Sequence, residues 1–320
     1  MKLPTFEQML ATRAIVAQSS DFGLLGTKRI GSSSAANTLF VIGFNYEGEE
    51  NALAPMAFLL ENPDLLKQDC QVGLVLARPE QRDVTANMNR IPQSPDLSVW
   101  EYERMQCMAE MFARYPDAKI IDLQANSQPE GFGWTLDMSG PRANLDRFSA
   151  MIPCPIRITG LCDVQKIWTK TVPLCYKFAG TITEVLMQPH NAPGGIENAT
   201  RLVLSTLAGL GALRGEFTSR QAVQLVYQAY GALARDPALS YKIEPALLQP
   251  FAPVKQGQLI AVASDGTELR AQNDCYLVLG PSRLNVAPGG SDPLFYLLFK
   301  EQFCNVVRTI VEPDWALQLS

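Results

Sequence analysis

Histidine is almost missing from this chain: its 320 residues include one, His190. That scarcity excludes metal and acid–base centres built on more than one imidazole. Positive charge is not in excess either. With 27 Lys and Arg against 32 Asp and Glu, a net charge of −5 and a pI near 5.1, nothing electrostatic draws the chain to nucleic acid or to an anionic membrane, and neither is expected as a partner. No apolar run reaches the roughly 18 residues of a membrane-crossing helix. The opening stretch MKLPTFEQMLATRAIVAQSSDFGLL lacks the continuous apolar segment of a signal peptide, so a soluble, cytoplasmic protein is expected. The seven cysteines are scattered, odd in number and never spaced C-x-x-C, which points to reduced buried thiols rather than a disulfide frame or a cysteine zinc site. Glycine-rich phosphate loops and the G-x-S-x-G elbow are absent. NAPGG (191–195) and APGGSDP (287–293) read as turns.

What is there is a core. Hydrophobic residues make up 47% of the chain and charged ones 18%, enough to build a large domain and a smaller one. NTLFVIGF (37–44) reads as a buried strand, 52–66 as a helix and CQVGLVLARP (70–79) as a second strand, an order that implies a parallel crossover. The alternation continues with a helix over 99–116, the strand AKIIDLQAN (118–126), the strand FAGTITEVL (178–186) and a helix over 197–213. The expected fold is α/β over 1–215, a mixed sheet flanked by helices. Beyond it, 216–320 reads as a smaller β-rich C-terminal domain, with one helix-like stretch over 219–234 and short strands such as GQLIAVAS and CYLVLG.

Ligands in such sheets bind beyond the carboxyl ends of the strands. Residues 45–50, 78–90, 122–126 and Glu184 fall there. Directly after the first strand, NYEGEENALAP sets Glu47-x-x-Glu50 on a glycine-containing turn, built like a metal or base site yet without histidine.

Four segments, in order and over most of the chain, resemble the succinylglutamate desuccinylase/aspartoacylase family of zinc carboxypeptidase-like deacylases. GFNYEGEENALAP stands where that family has a strand, His-Gly-x-Glu and a helix. RDVTANMNR stands where it has an Arg followed five residues later by Asp-x-Asn-Arg, with Asn87 replacing the Asp. IIDLQAN matches Asp-Leu-His at a strand end, and TEVLMQPHN matches a Glu-Val strand end followed by Gln-Pro.

The resemblance implies a zinc carboxypeptidase-like fold and a site for N-acyl amino acid-like substrates. It places Glu50 at the metal-binding glutamate, Glu47 or Asn45 at the first histidine, and Gln124 at the second. It makes Arg82 the group that polarises the scissile carbonyl, Asn89 and Arg90 the grip on a substrate carboxylate, and Glu184 the general base. His190 cannot rebuild a two-histidine centre and reads as a surface residue. Zinc prefers nitrogen and sulfur donors, so Glu47, Glu50 and Gln124 would suit Mg²⁺, Mn²⁺ or Ca²⁺ better, and such a site lowers the pKa of bound water less. Simpler readings stand beside these: Arg82 pairing with Asp83 or Glu80 in solvent, Arg90 in a surface loop, and Asp122 organising hydrogen bonds.

Three functions remain open from the sequence. The first is a degenerate, non-zinc member, a pseudoenzyme that binds a small carboxylate or N-acyl amino acid or serves as a partner subunit. The second is an active hydrolase with an altered metal or with water activated by Glu184. The third is a scaffold or homo-oligomer working through its surface, with aromatics such as Trp100 and Tyr102.

Overall fold

The computed structural model describes residues 3–43, 50–79, 99–125, 133–168, 181–187, 194–281, 283–289, 293–309 and 311. The chain forms two compact units. Unit 1 comprises Met1–Arg157, Val172–Gln224 and Cys304–Ser320; unit 2 comprises Ile158–Thr171 and Leu225–Phe303.

Unit 1 is a mixed sheet flanked by helices. Its strands β1 (Thr27–Gly31), β2 (Asn37–Gly43), β3 (Cys70–Leu76), β4 (Lys119–Ala125), β5 (Trp134–Ser139) and β7 (Thr181–Met187) lie in the order β1-β3-β2-β4-β7-β5. The strands β3, β2, β4 and β7 are mutually parallel, while β1 and β5 run antiparallel at the two sides. A parallel sheet covered on both faces needs strands without alternation, and β3 is buried at every position. On one face Leu39, Val41, Leu74 and Leu123 share a core with α2 (Leu53–Glu61) and α6 (Gly195–Gly209), through Leu53, Met56, Val203 and Leu207. Each such buried side chain contributes about 1.5–3 kcal/mol. On the other face the Phe40 ring meets Phe22, Tyr115 and Phe112 of α3 (Val99–Ala113) edge-on, with centroids 5.1–5.4 Å apart. Gly73 makes room for that ring, since a Cβ there would lie 2.4 Å from Phe40 Cδ1.

Local chemistry sets the helix ends. The helix α1 (Phe6–Ala17) starts with a capping box: Gln8 N donates to Thr5 Oγ1 at 3.2 Å and Thr5 N to Gln8 Oε1 at 2.7 Å. The helix expected over 52–66 ends at Glu61, because Pro63 disfavours helical geometry at Asn62, and a 3₁₀ turn Pro63–Leu65 follows. Unit 1 also holds α4 (Arg142–Met151). The chain then passes into unit 2 along β6 (Ile156–Thr159) and α5 (Leu161–Trp168).

Unit 2 is the β-rich part. The strand β13 (Cys275–Val278) pairs antiparallel with β10 (Ala252–Val254) and with β15 (Phe295–Thr309). A four-stranded sheet has the order β12 (Glu268–Arg270), β11 (Leu259–Ala263), β9 (Tyr241–Ile243), β14 (Asn285–Val286). Ile260, Ala261, Leu277 and Phe295 centre its core.

The helix expected over 219–234 is instead a 15-residue strand, β8 (Ser219–Leu233). Its Gln, Ala and Leu residues favour helix, yet long-range pairing overrides that preference. The strand runs from unit 1 into unit 2, and β15 runs back from unit 2 into unit 1: Ser219 Oγ lies 3.2 Å from Thr309 Oγ1 in unit 1, and Tyr230 stacks on Phe299 in unit 2 with centroids 3.8 Å apart. Among the described residues no helix is long and apolar enough to cross a membrane.

Candidate functional site

The parallel strands of unit 1 end at a common level. Gly43 of β2 lies beside Leu76 of β3, Ile42 beside Asp122 of β4, and Asp122 beside Glu184 of β7. Neighbours in register share a face, so Asp122 and Glu184 occupy adjacent positions, with backbones about 4.8 Å apart, on the face that carries Phe40. Gln124, two residues on, stands in the next row beside Leu186, and Leu186 beside Trp134 of β5. A carboxylate facing an apolar layer is costly, and buried Asp122 is one at this edge.

Asp122 and Gln124 are buried, 3% and 7% exposed, and the Gln124 amide Nε2 donates to Asp122 Oδ2 at 3.4 Å. With that amide hydrogen committed, the carbonyl oxygen is the metal-binding atom Gln124 retains, a weaker zinc donor than an imidazole nitrogen. Glu50 opens a 3₁₀ turn, Glu50–Ala52, and is half-buried. That turn packs against β4, α2 and α6. Gly43 allows it to come close, since a Cβ there would meet the Ala52 Cβ at 2.7 Å. Glu50 is thereby set beside the strand that carries Asp122 and Gln124.

Two buried arginines join this edge, Arg78 at the start of the stretch 78–90 that the sequence places there and Arg104 without any signal in its local sequence. Arg78, 6% exposed, follows the end of β3. Arg104 of α3, also 6% exposed, donates from Nε to Ala77 O at 3.3 Å, from Nη2 to Leu76 O at 2.7 Å and from Nη1 to Leu25 O at 2.6 Å. It thereby caps the end of β3, from which the chain continues toward Arg82. Gly26 completes the junction: its φ is +78°, and a Cβ would lie 2.7 Å from Pro79 Cβ.

The sequence-derived candidates divide accordingly. Asp122 and Gln124 are joined by a hydrogen bond at the carboxyl edge, Glu50 lies in a turn that packs against their strand, and Glu184 takes its place by register, its strand position alone being described. Asn45, Glu47, Arg82, Asn87, Asn89, Arg90 and His190 lie outside the described residues. Among the described residues no three His, Cys, Asp or Glu side chains come together in a metal-holding group.

No family sequence profile matches the chain, and no curated protein matches it by sequence. Solved structures do match. Succinylglutamate desuccinylase from Vibrio cholerae superposes with a TM-score of 0.61 at 12% identity, over 85% of this chain and 86% of its own. A succinylglutamate desuccinylase/aspartoacylase from Rhodobacter sphaeroides gives 0.57 at 14% identity, over 86% and 89%. Murine aminoacylase 3 gives 0.53 at 15%, over 88% and 100%. The chain therefore has the fold of the aspartoacylase and succinylglutamate desuccinylase proteins.

Proposed function

We propose that this protein uses the carboxyl edge of the unit 1 sheet as a deacylase-type pocket for a small carboxylate of the N-acyl amino acid kind, and that the pocket does not work through zinc. The observation that carries the reading is the end of β4, where Gln124, which the family resemblance sets against a histidine, donates its amide to Asp122. The carboxylates of Glu50 and Glu47 and one amide oxygen do not fit a zinc ion that prefers imidazole nitrogen, and a chain with His190 alone supplies no second imidazole. The chain's own groups hold the ligand. Arg82 and Arg90 are suited to fork its carboxylate and acyl oxygen, Asn89 to add a donor, and Asp122 to fix the Gln124 amide.

The test is elemental mass spectrometry of protein purified without chelator or nickel column, beside a Glu50→Ala control. No stoichiometric zinc is expected; one zinc per chain, lost in the control, overturns the reading. Calorimetric titration with N-acetylaspartate, N-acetylphenylalanine and N-succinylglutamate should detect binding that weakens at least about tenfold in Arg90→Met.

The placement of Glu184 beside Asp122 supports a second reading, an active hydrolase in which Glu184 takes a proton from water directly or beside an oxygen-ligated cation. On that reading Glu184→Gln lowers hydrolysis by about 100-fold or more, and undiminished turnover sinks it.

A further inference from the structure

The opposite, amino-terminal edge of the same sheet carries a second concave site. The residues leading into β3 and those following α6 join there in a short antiparallel bridge, Leu66 to Leu213. Lys67 N donates to Ala212 O at 2.9 Å and Arg214 N to Leu65 O at 2.8 Å. These bonds fix Lys67 and Arg214 on the wall of one depression of about 510 Å³, whose other side holds Ser32 and Ser34. The two serine hydroxyls lie 2.9 Å apart, so one donates to the other and the second keeps its hydrogen for a ligand. Asp64 lines the same depression, yet neither Lys67 nor Arg214 forms an ion pair among the described residues. Against the single carboxylate of Asp64, the two cations leave the lining net positive on a chain whose net charge is −5.

We propose that this depression binds a small phosphorylated metabolite, a phosphate monoester, independently of the carboxyl edge. A guanidinium, an ammonium and a hydroxyl around one space suit a tetrahedral head with three acceptor oxygens better than a planar carboxylate with two. The volume falls in the usual range of small-molecule sites and exceeds what inorganic phosphate fills, leaving space for an organic part against Leu66 and Pro63. The two edges are separated by the length of β3, about 20 Å at 3.3 Å per residue, so a ligand at one does not touch the other.

Calorimetric titration of the full chain with inorganic phosphate, at ionic strength held constant with chloride, tests the site. Saturable binding is expected, weakened about tenfold in Lys67→Gln and again in Arg214→Gln. Both side chains are exposed, so both variants should keep the parent circular dichroism spectrum. Sulfate should compete and acetate should not. The proposal is overturned by absent binding, by unchanged affinity in both variants, by acetate competing as well as sulfate, or by loss in Arg82→Gln and Arg90→Gln instead, which would move the phosphate to the carboxyl edge.

Discussion

Asp137 of β5 sits 5% exposed with its carboxylate surrounded by donors: Arg157 Nε at 3.1 and 3.0 Å, Arg157 Nη2, and Ser149 Oγ of α4 at 2.8 Å. Arg157 also reaches the more exposed Asp146 at 2.7 Å. Burial works against the Arg157 charge, and its bonds to Asp137 and Asp146 outweigh that, raising its pKa above the ordinary value. Asp137→Asn removes the buried partner and leaves the Arg157 charge to the more exposed Asp146 alone, so it should lower urea-unfolding stability by about 1–3 kcal/mol. A second residue-scale prediction concerns Cys154. Burial pushes its thiol up to about 12, against the smaller opposing influence of Arg308. A folded-state value raised above that of the unfolded chain means stability that is complete below the ordinary thiol value of 9.0 and is lost as pH rises from there toward 12. Cys154→Ala should flatten the alkaline side of the stability–pH curve. In the native protein, thiol reagent at pH 8 should label the exposed Cys107 and leave Cys154 unmodified.

At the scale of elements, the junction between α3 and the end of β3 invites the sharpest test. Arg104 satisfies carbonyls of Leu25, Leu76 and Ala77 at once, so Arg104→Met should cost about 3 kcal/mol in denaturant unfolding, and Arg104→Lys should recover part of it. Gly73→Ala should cost about 1–3 kcal/mol, because the new methyl would intrude on the Phe40 ring. These two positions also mark the limit of what a sequence reveals. The strands β2 and β3 are legible because burial on both faces writes nearly continuous apolar runs, and in β4 Asp122 and Gln124 stand out as polar residues after Ile120 and Ile121. Arg104 is not legible, since its acceptors come from segments 27 to 79 residues away. The strand β8 reads as a helix because burial on both of its faces is partial and irregular, so neither alternation nor a solid apolar run emerges.

For the whole molecule, the last residues belong to unit 1 although unit 2 precedes them. Val311 N donates to Ser205 Oγ of α6 at 3.1 Å, and Arg308 donates to Cys154 O. A chain ending at residue 303 should therefore lose unit 1 stability, measured as a lower thermal midpoint, even though the removed segment carries none of the candidate site. The same connectivity has a mechanical consequence. The first and last described residues both belong to unit 1, and every crossing into unit 2 lies between them, so tension applied through residues 3 and 311 loads unit 1 first. Unit 2 bears force only after its host has begun to give way, which predicts a fixed order of rupture in a single-molecule pulling experiment, with the larger unit opening before the smaller.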